Sequence, residues 1–271
     1  MIMKKIPYFS LLSLGLILFF SFFGTFFYAG LAYELSPHSI LLPPSIEHLL
    51  GTDRLGRDVL ARLMEGGKIS LIIGLLSAII TSFIGLIVGV SSGFFKGNTD
   101  KVIIVLIDLF LTFPTFFLLL ALISYVNASV LVIVVVISIT GWMGMARMIR
   151  SESFAIANAP FIKILKIAKV NNLKIILKYF LPMLAPIFFI SFTFGISGAI
   201  LAESGLSFLG IGINPPQISW GTILSEGKAV IDTAWWLSFF PGLMIFAVTY
   251  SLINISDYLQ TITDSKEKQV G

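Results

Sequence analysis

The sequence contains no cysteine, only two histidines and few charged residues. The missing cysteine excludes disulfide bonds, thiolate metal sites and a cysteine nucleophile. Charged residues make up 12% of the 271 positions, about half of the share found in a typical soluble domain. This low share excludes an ordinary water-soluble globule. The net charge of only +4 gives no basic field for binding nucleic acid, so we expect no such partner.

The sequence also lacks the residue patterns that catalysis and nucleotide binding require. No segment matches G-x-x-x-x-G-K-[ST], so we expect no nucleotide site within this chain. The two histidines, His38 and His48, lie ten residues apart in a proline-rich stretch, which is not the spacing of paired metal ligands. No histidine accompanies a candidate serine nucleophile. We therefore predict a protein that is not an enzyme and holds no metal or cofactor.

Long uncharged runs take the place of these features. Each run has at least 24 residues, and about 20 apolar residues suffice to cross a bilayer as a helix. The longest run, residues 109–146, has a polar break at Ser124–Asn127 and is divided into two spans. The first run exceeds a secretory signal in length, so we expect it to be retained. The predicted spans are about residues 8–30, 70–94, 102–123, 128–147, 182–202 and 234–256.

The distribution of lysine and arginine predicts the orientation. Six spans place both termini on one side, and 13 of the 18 basic residues fall on that side, among them Lys4, Lys5, Lys266 and Lys268. Basic residues favour the cytoplasmic side of a membrane, so we expect both termini in the cytoplasm of a bacterial cell. The chain then divides into a first helix with a periplasmic segment (residues 1–68), a transmembrane core (69–258) and a cytoplasmic tail (259–271).

A basic segment lies on the predicted cytoplasmic side between the fourth and fifth spans. Lys163, Lys166 and Lys169 recur every three residues among apolar side chains, which indicates an amphipathic helix. Asn171–Asn172 is a predicted break, because asparagine favours caps and turns. An amphipathic basic helix suits either anionic lipid or a cytoplasmic protein partner, and the residues alone leave both open.

Two features inside the spans each have two interpretations. Asp108 is the one clear ionisable group there, and it serves either as a structural or interfacial group or as a proton carrier. Gly85, Gly89 and Gly93 form a smooth stripe in the second span, which packs either within the bundle or against a second, related subunit. A bundle without a nucleotide site and with a basic cytoplasmic segment predicts a translocation subunit driven by another polypeptide. The rival class is an ion-coupled carrier that works alone.

Two motifs on the predicted periplasmic side resemble those of a known family. His48–Asp58 with Arg62 is similar to H-P-L-G-T-D-x-x-G-R-D-x-x-S-R, and Glu203–Gly221 is similar to L-S-F-L-G-L-G-x-x-P-P-x-x-S-W-G. These motifs are typical of the permease subunits of bacterial ABC importers for dipeptides, oligopeptides or nickel. The chain resembles the second permease of the pair. The matching positions are Gly51, Asp53, Gly56, Arg57, Asp58, Glu203, Leu206, Phe208, Gly210, Pro216, Trp220 and Gly221.

Two further segments match the family less closely. Asp100, Asp108 and Phe113–Pro114 fit its V-D-x-x-x-R-x-x-D…F-P segment, with valine at the arginine position. The family's coupling loop, E-A-A-x-x-x-G-x9-I-x-L-P, is matched in spacing but not in composition. Counting back from Leu181 and Pro182 places Tyr179 at the isoleucine, Lys169 at the glycine and Lys163 at the glutamate. A lysine disfavours a tight turn at position 169, so we expect Asn171–Asn172 to form it.

The resemblance implies an all-α polytopic fold of six transmembrane helices, a type I ABC importer permease-like bundle with a cytoplasmic coupling loop. It implies import of small peptides, or of nickel, across the inner membrane. The implied partners are a homologous second permease, two cytoplasmic ABC ATPase subunits and a periplasmic substrate-binding protein, in addition to membrane lipid. The implied coupling segment is residues 159–180, with Lys166 among its basic positions, and the implied hydrolysis of ATP belongs to the partner subunits.

Overall fold

The structure is a computed structural model that describes residues 6–270, with side chains described through residue 263. Lys4, Lys5 and the side chains of Lys266 and Lys268 lie outside the described part. The orientation predicted from these four lysines is therefore not tested by the structure. Ten α-helices follow one another along the described chain: α1 (Tyr8–Phe23), α2 (Val59–Phe95), α3 (Gly97–Leu111), α4 (Thr115–Ile123), α5 (Val130–Asn158), α6 (Pro160–Ile167), α7 (Asn172–Ile175), α8 (Leu181–Phe208), α9 (Trp220–Lys228) and α10 (Trp236–Val270).

The prediction of an all-α membrane-spanning bundle is confirmed. Five helices are long and apolar enough to cross a membrane, and α3 and α4 together make a sixth crossing when they are counted as one bent span. The predicted span 102–123 is not one continuous helix, because the chain bends by 79° between α3 and α4. The bend lies at Phe113–Pro114, where the proline has no backbone N–H and its ring disfavours helix in the residue before it.

Several helices extend beyond the predicted spans into segments that we placed outside the bilayer. Helix α2 begins at Val59, where the Asp58 carboxylate accepts a hydrogen bond from the Ala61 N–H at 2.9 Å as an N-cap. The division between residues 68 and 69 therefore falls inside a helix. Helix α5 continues to Asn158, and the predicted tail 259–271 continues the backbone of α10 as far as Val270.

Helix α2 packs along α5 through the glycine stripe. A Cβ atom added to Gly85 would lie 2.5 Å from Met145 Cγ, one on Gly89 would lie 2.7 Å from the Ala146 carbonyl oxygen, and one on Gly93 would lie 2.5 Å from Ser153 Cβ. These separations are shorter than van der Waals contact, so only glycine permits the approach. The stripe thus serves packing within this chain, and the alternative of a second subunit on that face is wrong.

We predict that Gly89→Ala destabilises the bundle by about 1–3 kcal/mol, because the added methyl group meets the Ala146 carbonyl oxygen and the branched Cβ of Ile149, neither of which moves without a shift of the α5 backbone. Thermal unfolding of the purified protein in detergent measures the effect. Gly144→Ala in α5 is the matched control, because nothing lies within 4 Å of its added Cβ. Equal unfolding midpoints for the two variants would contradict the packing described here.

Candidate functional site

The polar residues of the chain gather at the two ends of the bundle. The loop face comprises residues 27–58 and 209–235, and the lysine face comprises residues 96–101 and 158–180. Helix α2 starts at the loop face and ends at the lysine face. It has 37 residues, which gives a length of about 55 Å. The two faces are therefore opposite ends of one bundle.

A buried charge network organises the loop face. The Arg62 guanidinium is fully buried and donates to the carboxylates of Asp53 and Glu226, with 3.0 Å between Arg62 Nη2 and Glu226 Oε1. Arg57 Nε donates to Asp53 Oδ2 at 2.6 Å, and its Nη2 reaches Glu226 at 3.3 Å. The positive charges of the two arginines equal the negative charges of the two carboxylates. A charge that is removed from water requires such a partner of opposite sign. The network joins the loop before α2 to helix α9.

Two glycines shape the loop that carries this network. Gly51 and Gly56 have φ angles of +77° and +75°, a region that favours glycine. A Cβ atom on Gly56 would lie 1.9 Å from the Ser36 carbonyl oxygen, so no other residue fits. The Asp53 carboxylate closes the turn by accepting from the N–H groups of Leu55 at 2.8 Å and Arg57 at 3.0 Å. The motif thus folds into a turn that presents both arginines to α9.

Asp58 has a second role beside its N-cap. Its Oδ2 accepts from the Tyr28 hydroxyl at 2.8 Å and lies 3.0 Å from His48 Nδ1. Burial, and after it the hydrogen bond and the negative charge of Asp58, raise the pKa of Tyr28 to about 12. The phenol therefore stays neutral and keeps donating at any physiological pH.

Glu203 lies inside α8 rather than beyond its end and is fully buried. Serine hydroxyls surround its carboxylate and donate to it, from Ser219 at 2.6 Å, Ser207 at 2.8 Å and Ser70 at 3.2 Å. The donors come from the start of α9, from α8 and from α2. The expected position just outside the fifth span is wrong, because the helix continues one and a half turns past Glu203 and carries it into the bundle.

Trp220 and Gly221 complete the join between α2, α8 and α9. The buried Trp220 ring donates from Nε1 to the Leu63 carbonyl at 2.9 Å, and its backbone N–H donates to Ser70 Oγ at 3.1 Å. A Cβ atom on Gly221 would lie 2.7 Å from Ser204 Cα, so α9 approaches α8 closely. Among the remaining motif positions, Leu206 is buried in the core. Phe208 and Gly210 (φ +82°) lie at the end of α8. Pro216 lines a cavity of about 480 Å³ together with Arg57 and Glu226.

Asp108 is not a lone charge. The Arg147 guanidinium of α5 donates to its carboxylate, and both side chains are 55% exposed. One helical turn closer to the lysine face, Arg150 donates to Asp100 at 2.6 and 2.8 Å. Helix α3 buries only Ile107. The two ion pairs therefore hold α3 to α5. The pairing favours the structural interpretation of Asp108 over a proton carrier.

The lysine face is built by α6, a turn and α7. Ile162 of α6 is fully buried in a cluster with Phe94 of α2, Ile156 of α5 and Phe180. Helix α6 thus lies across the ends of the spanning helices. Tyr179 is half-buried with its ring 6.1 Å from that of Phe161, which joins the chain after α7 to α6.

The expected position of the turn is wrong by two residues. Lys169 itself takes φ +54°, whereas Asn171 has φ −56° and caps α7, its side chain accepting from the Leu173 N–H at 2.8 Å. The turn therefore lies where the resembled family has glycine. The positive φ costs the lysine about 1–2 kcal/mol of backbone energy. The conformation is maintained because the helices on both sides are anchored by the buried residues Ile162 and Ile175.

Pro182 lies in the first turn of α8, as expected for the fifth span, although helical backbone already precedes it. The helix runs without interruption over Asn172–Phe208. Its segment Ile176–Phe180 is a π-helix, which Leu181 and Pro182 follow directly. A proline ring collides with the carbonyl four residues earlier in a regular helix, and a wider turn before it relieves that contact.

The lysines of the coupling segment are exposed at this face. Lys166 turns its ammonium group inward, 4.1 Å from the centre of the Phe94 ring and 3.4 Å from the Phe94 carbonyl oxygen. Partial burial, and after it the positive charge of Lys96, lower the pKa of Lys166.

A bundle of apolar helices with a polar network at one end and a lysine cluster at the other is the architecture of a polytopic membrane transport subunit. The model of the family described as "Binding-protein-dependent transport system inner membrane component" matches residues 82–269. The chain belongs to this family and is a permease subunit of an ABC importer of the bacterial inner membrane.

Individual relatives agree with this assignment. The dipeptide transport system permease protein DppC of Bacillus subtilis is 35% identical over 241 residues, which are 86% of this chain and 75% of that protein. The oligopeptide transport system permease protein OppC of Haemophilus influenzae is 31% identical over 261 residues, 96% of this chain and 84% of the relative. An inward-facing structure of the MetNI methionine ABC transporter superposes with a TM-score of 0.58 at 15% identity. The superposition covers 73% of this chain and 96% of the MetNI chain. This likeness shows the type I importer fold.

Sequence reasoning found most of the loop-face residues but missed Glu226 as the partner of both arginines and the serine donors to Glu203. The loop motif gave no signal for Glu226, because no spacing rule connects it to arginines that lie 164 and 169 positions earlier. Four serines, at positions 70, 204, 207 and 219, also gave no signal, because serine is common and tolerated in many places.

We predict that Arg62→Met destabilises the loop face by about 3–5 kcal/mol, because it leaves the carboxylates of Asp53 and Glu226 without their buried partner. The unfolding midpoint in detergent should fall, and limited proteolysis should cut within residues 34–58. Arg54→Met is the matched control, since Arg54 is exposed on the same loop. Comparable losses in both variants would refute the network's role.

Proposed function

We propose that the chain is the permease of an ATP-driven importer of small peptides. The observation that carries the proposal is the set of relatives named as dipeptide and oligopeptide permeases, which are 31–35% identical over most of this chain. Members with such similarity share the apolar bundle through which a substrate moves. In this proposal selectivity among peptides belongs largely to a separate binding protein, and ATP hydrolysis belongs to separate ATPase subunits.

The proposed orientation places the loop face in the periplasm and the lysine face in the cytoplasm. The excess of basic residues at the lysine face supports it. Substrate would then arrive from the binding protein near the cavity beside Arg57, Pro216 and Glu226. Both termini would lie in the cytoplasm.

The proposed coupling segment is residues 159–180, onto which an ATPase would dock. Helix α6 supports this assignment, because it lies across the end of the bundle and leaves Ile167 81% exposed. An apolar side chain so exposed at a polar end indicates a contact with another protein. A homologous second permease and a second ATPase complete the proposed assembly, with alternating access driven by closure of the ATPases.

We expect cells that lose this chain to lose saturable uptake of a labelled dipeptide and to regain it when the chain is restored. Nickel uptake, measured in the same cells, should not change. Loss of nickel uptake with normal dipeptide uptake would contradict the peptide substrate. Normal uptake of both would contradict the importer as proposed.

The absence of cysteine permits a direct test of orientation. A single cysteine at position 169 should resist a membrane-impermeant maleimide in intact cells and react after permeabilisation. A cysteine at position 46 is the control, because Ile46 is almost fully exposed on the loop face, and it should react in cells whose outer membrane alone is opened. Labelling of position 169 under that second condition would reverse the proposed topology.

A further inference from the structure

The segment that forms the lysine face carries positive charge without compensation. Residues 153–202 contain five lysines and no aspartate or glutamate. Within the part of the chain whose side chains are described, none of these lysines forms an ion pair. The two carboxylates of α3, Asp100 and Asp108, are already held by Arg150 and Arg147. The lysines are Lys163, Lys166, Lys169, Lys174 and Lys178.

Apolar side chains lie among these lysines on the outward side. Ile164 is 64% exposed and Ile167 is 81% exposed, whereas Ile162 on the opposite side of α6 is fully buried. A depression of about 580 Å³ beside them is lined by Lys166, Lys169 and the exposed Phe95 ring, among others. The face therefore combines an apolar ridge with a surrounding set of ammonium groups.

The position of α6 favours a protein over lipid as the occupant of this face. Ile162 is buried in the same cluster as Phe94, Ile156 and Phe180, which lie at the ends of three different spanning segments. The face opposite Ile162 consequently points away from the bundle end. A helix that binds the headgroup region would instead lie beside the bundle with its apolar side turned toward the acyl chains.

The electrostatics define what such a protein must supply. A partner that covers the ridge removes water from the lysine ammonium groups, and unpaired buried charge is costly. Lys166 already lies against the Phe94 ring, 4.1 Å from its centre, so further burial of its charge requires a carboxylate nearby. Oppositely charged rims also accelerate association and exclude wrong partners.

We propose that the ATPase surface that receives α6 and α7 is an apolar groove rimmed by aspartate and glutamate side chains. The inference rests on the proposed docking of an ATPase on residues 159–180 and adds the chemistry of the partner's groove. Ile164 and Ile167 enter the groove, and Lys163, Lys169 and Lys174 meet its acidic rim. Charge thereby replaces the motif residues that this loop lacks.

The test measures binding of the cognate ATPase subunits to the permease in nanodiscs of zwitterionic lipid. Lys163→Glu with Lys174→Glu should weaken binding about tenfold at about 100 mM salt and about twofold or less at about 500 mM salt, because salt screens charges at this distance. Arg54→Glu with Lys228→Glu is the matched control, since both side chains are exposed on the loop face, and it should bind like the unmodified chain.

A second variant separates this inference from the docking itself. Ile167→Asp should abolish ATPase binding at every salt concentration. If Ile167→Asp fails to bind and the double lysine variant binds normally at low salt, docking stands and the acidic groove is refuted. If both bind normally, docking on residues 159–180 is refuted, and the groove with it. A loss in the lysine variant that occurs only in discs with anionic lipid assigns the lysines to lipid and also refutes the groove.

Discussion

Hydrocarbon offers no hydrogen bonds, so every polar group that this chain takes into its bundle needs a partner from the chain itself. Glu203 and Arg62 illustrate the constraint, since both are fully buried, Arg62 near the start of α2 and Glu203 near the end of α8. Arg62 is balanced by two carboxylates, and Glu203 is surrounded by hydroxyl donors. The partners come from α2, α8, α9 and the preceding loop. Satisfying these two buried groups therefore determines how four parts of the loop face are assembled.

Close backbone approach is the second condition for this assembly. Gly221 lets α9 rest on α8, and the glycines of α2 let α5 lie against it. The contact at Gly221 brings the Ser219 hydroxyl, at the start of α9, to 2.6 Å from the Glu203 carboxylate of α8. The bundle lacks strong apolar attraction between helices inside a membrane, because lipid tails are as apolar as leucine. Shape and polar pairing thus supply the specificity that the hydrophobic effect supplies in a soluble core.

The sequence predicted the bundle and its number of crossings, because uncharged runs of more than 20 residues have few alternatives in a membrane. It did not predict where helices end. Helix α2 begins at Val59 and α5 reaches Asn158 because caps and ion pairs, such as Arg150 with Asp100, support helix beyond the apolar run. The turn at Lys169 shows another limit, since local preference favoured Asn171 and tertiary anchoring of α6 decided otherwise.

The candidate site was predicted in part. The loop-face motifs were recognised because glycines and charges stand at characteristic intervals, and Gly51 and Gly56 do have the conformations that require glycine. Their long-range partners were not predictable, because Glu226 is separated from Arg62 by 164 positions and no spacing rule connects them. The roles of the coupling-segment residues stay predictions.

The length of α2 has a mechanical consequence. One uninterrupted rod joins Arg62, within the charge network, to Phe94, on which the Lys166 ammonium rests. The two residues are 32 positions apart, a lever arm of about 48 Å. A tilt of the rod by about 5° about one end displaces the other by about 4 Å, more than the length of any hydrogen bond in the network. A modest push at one surface is thus geometrically sufficient to break and remake contacts at the other.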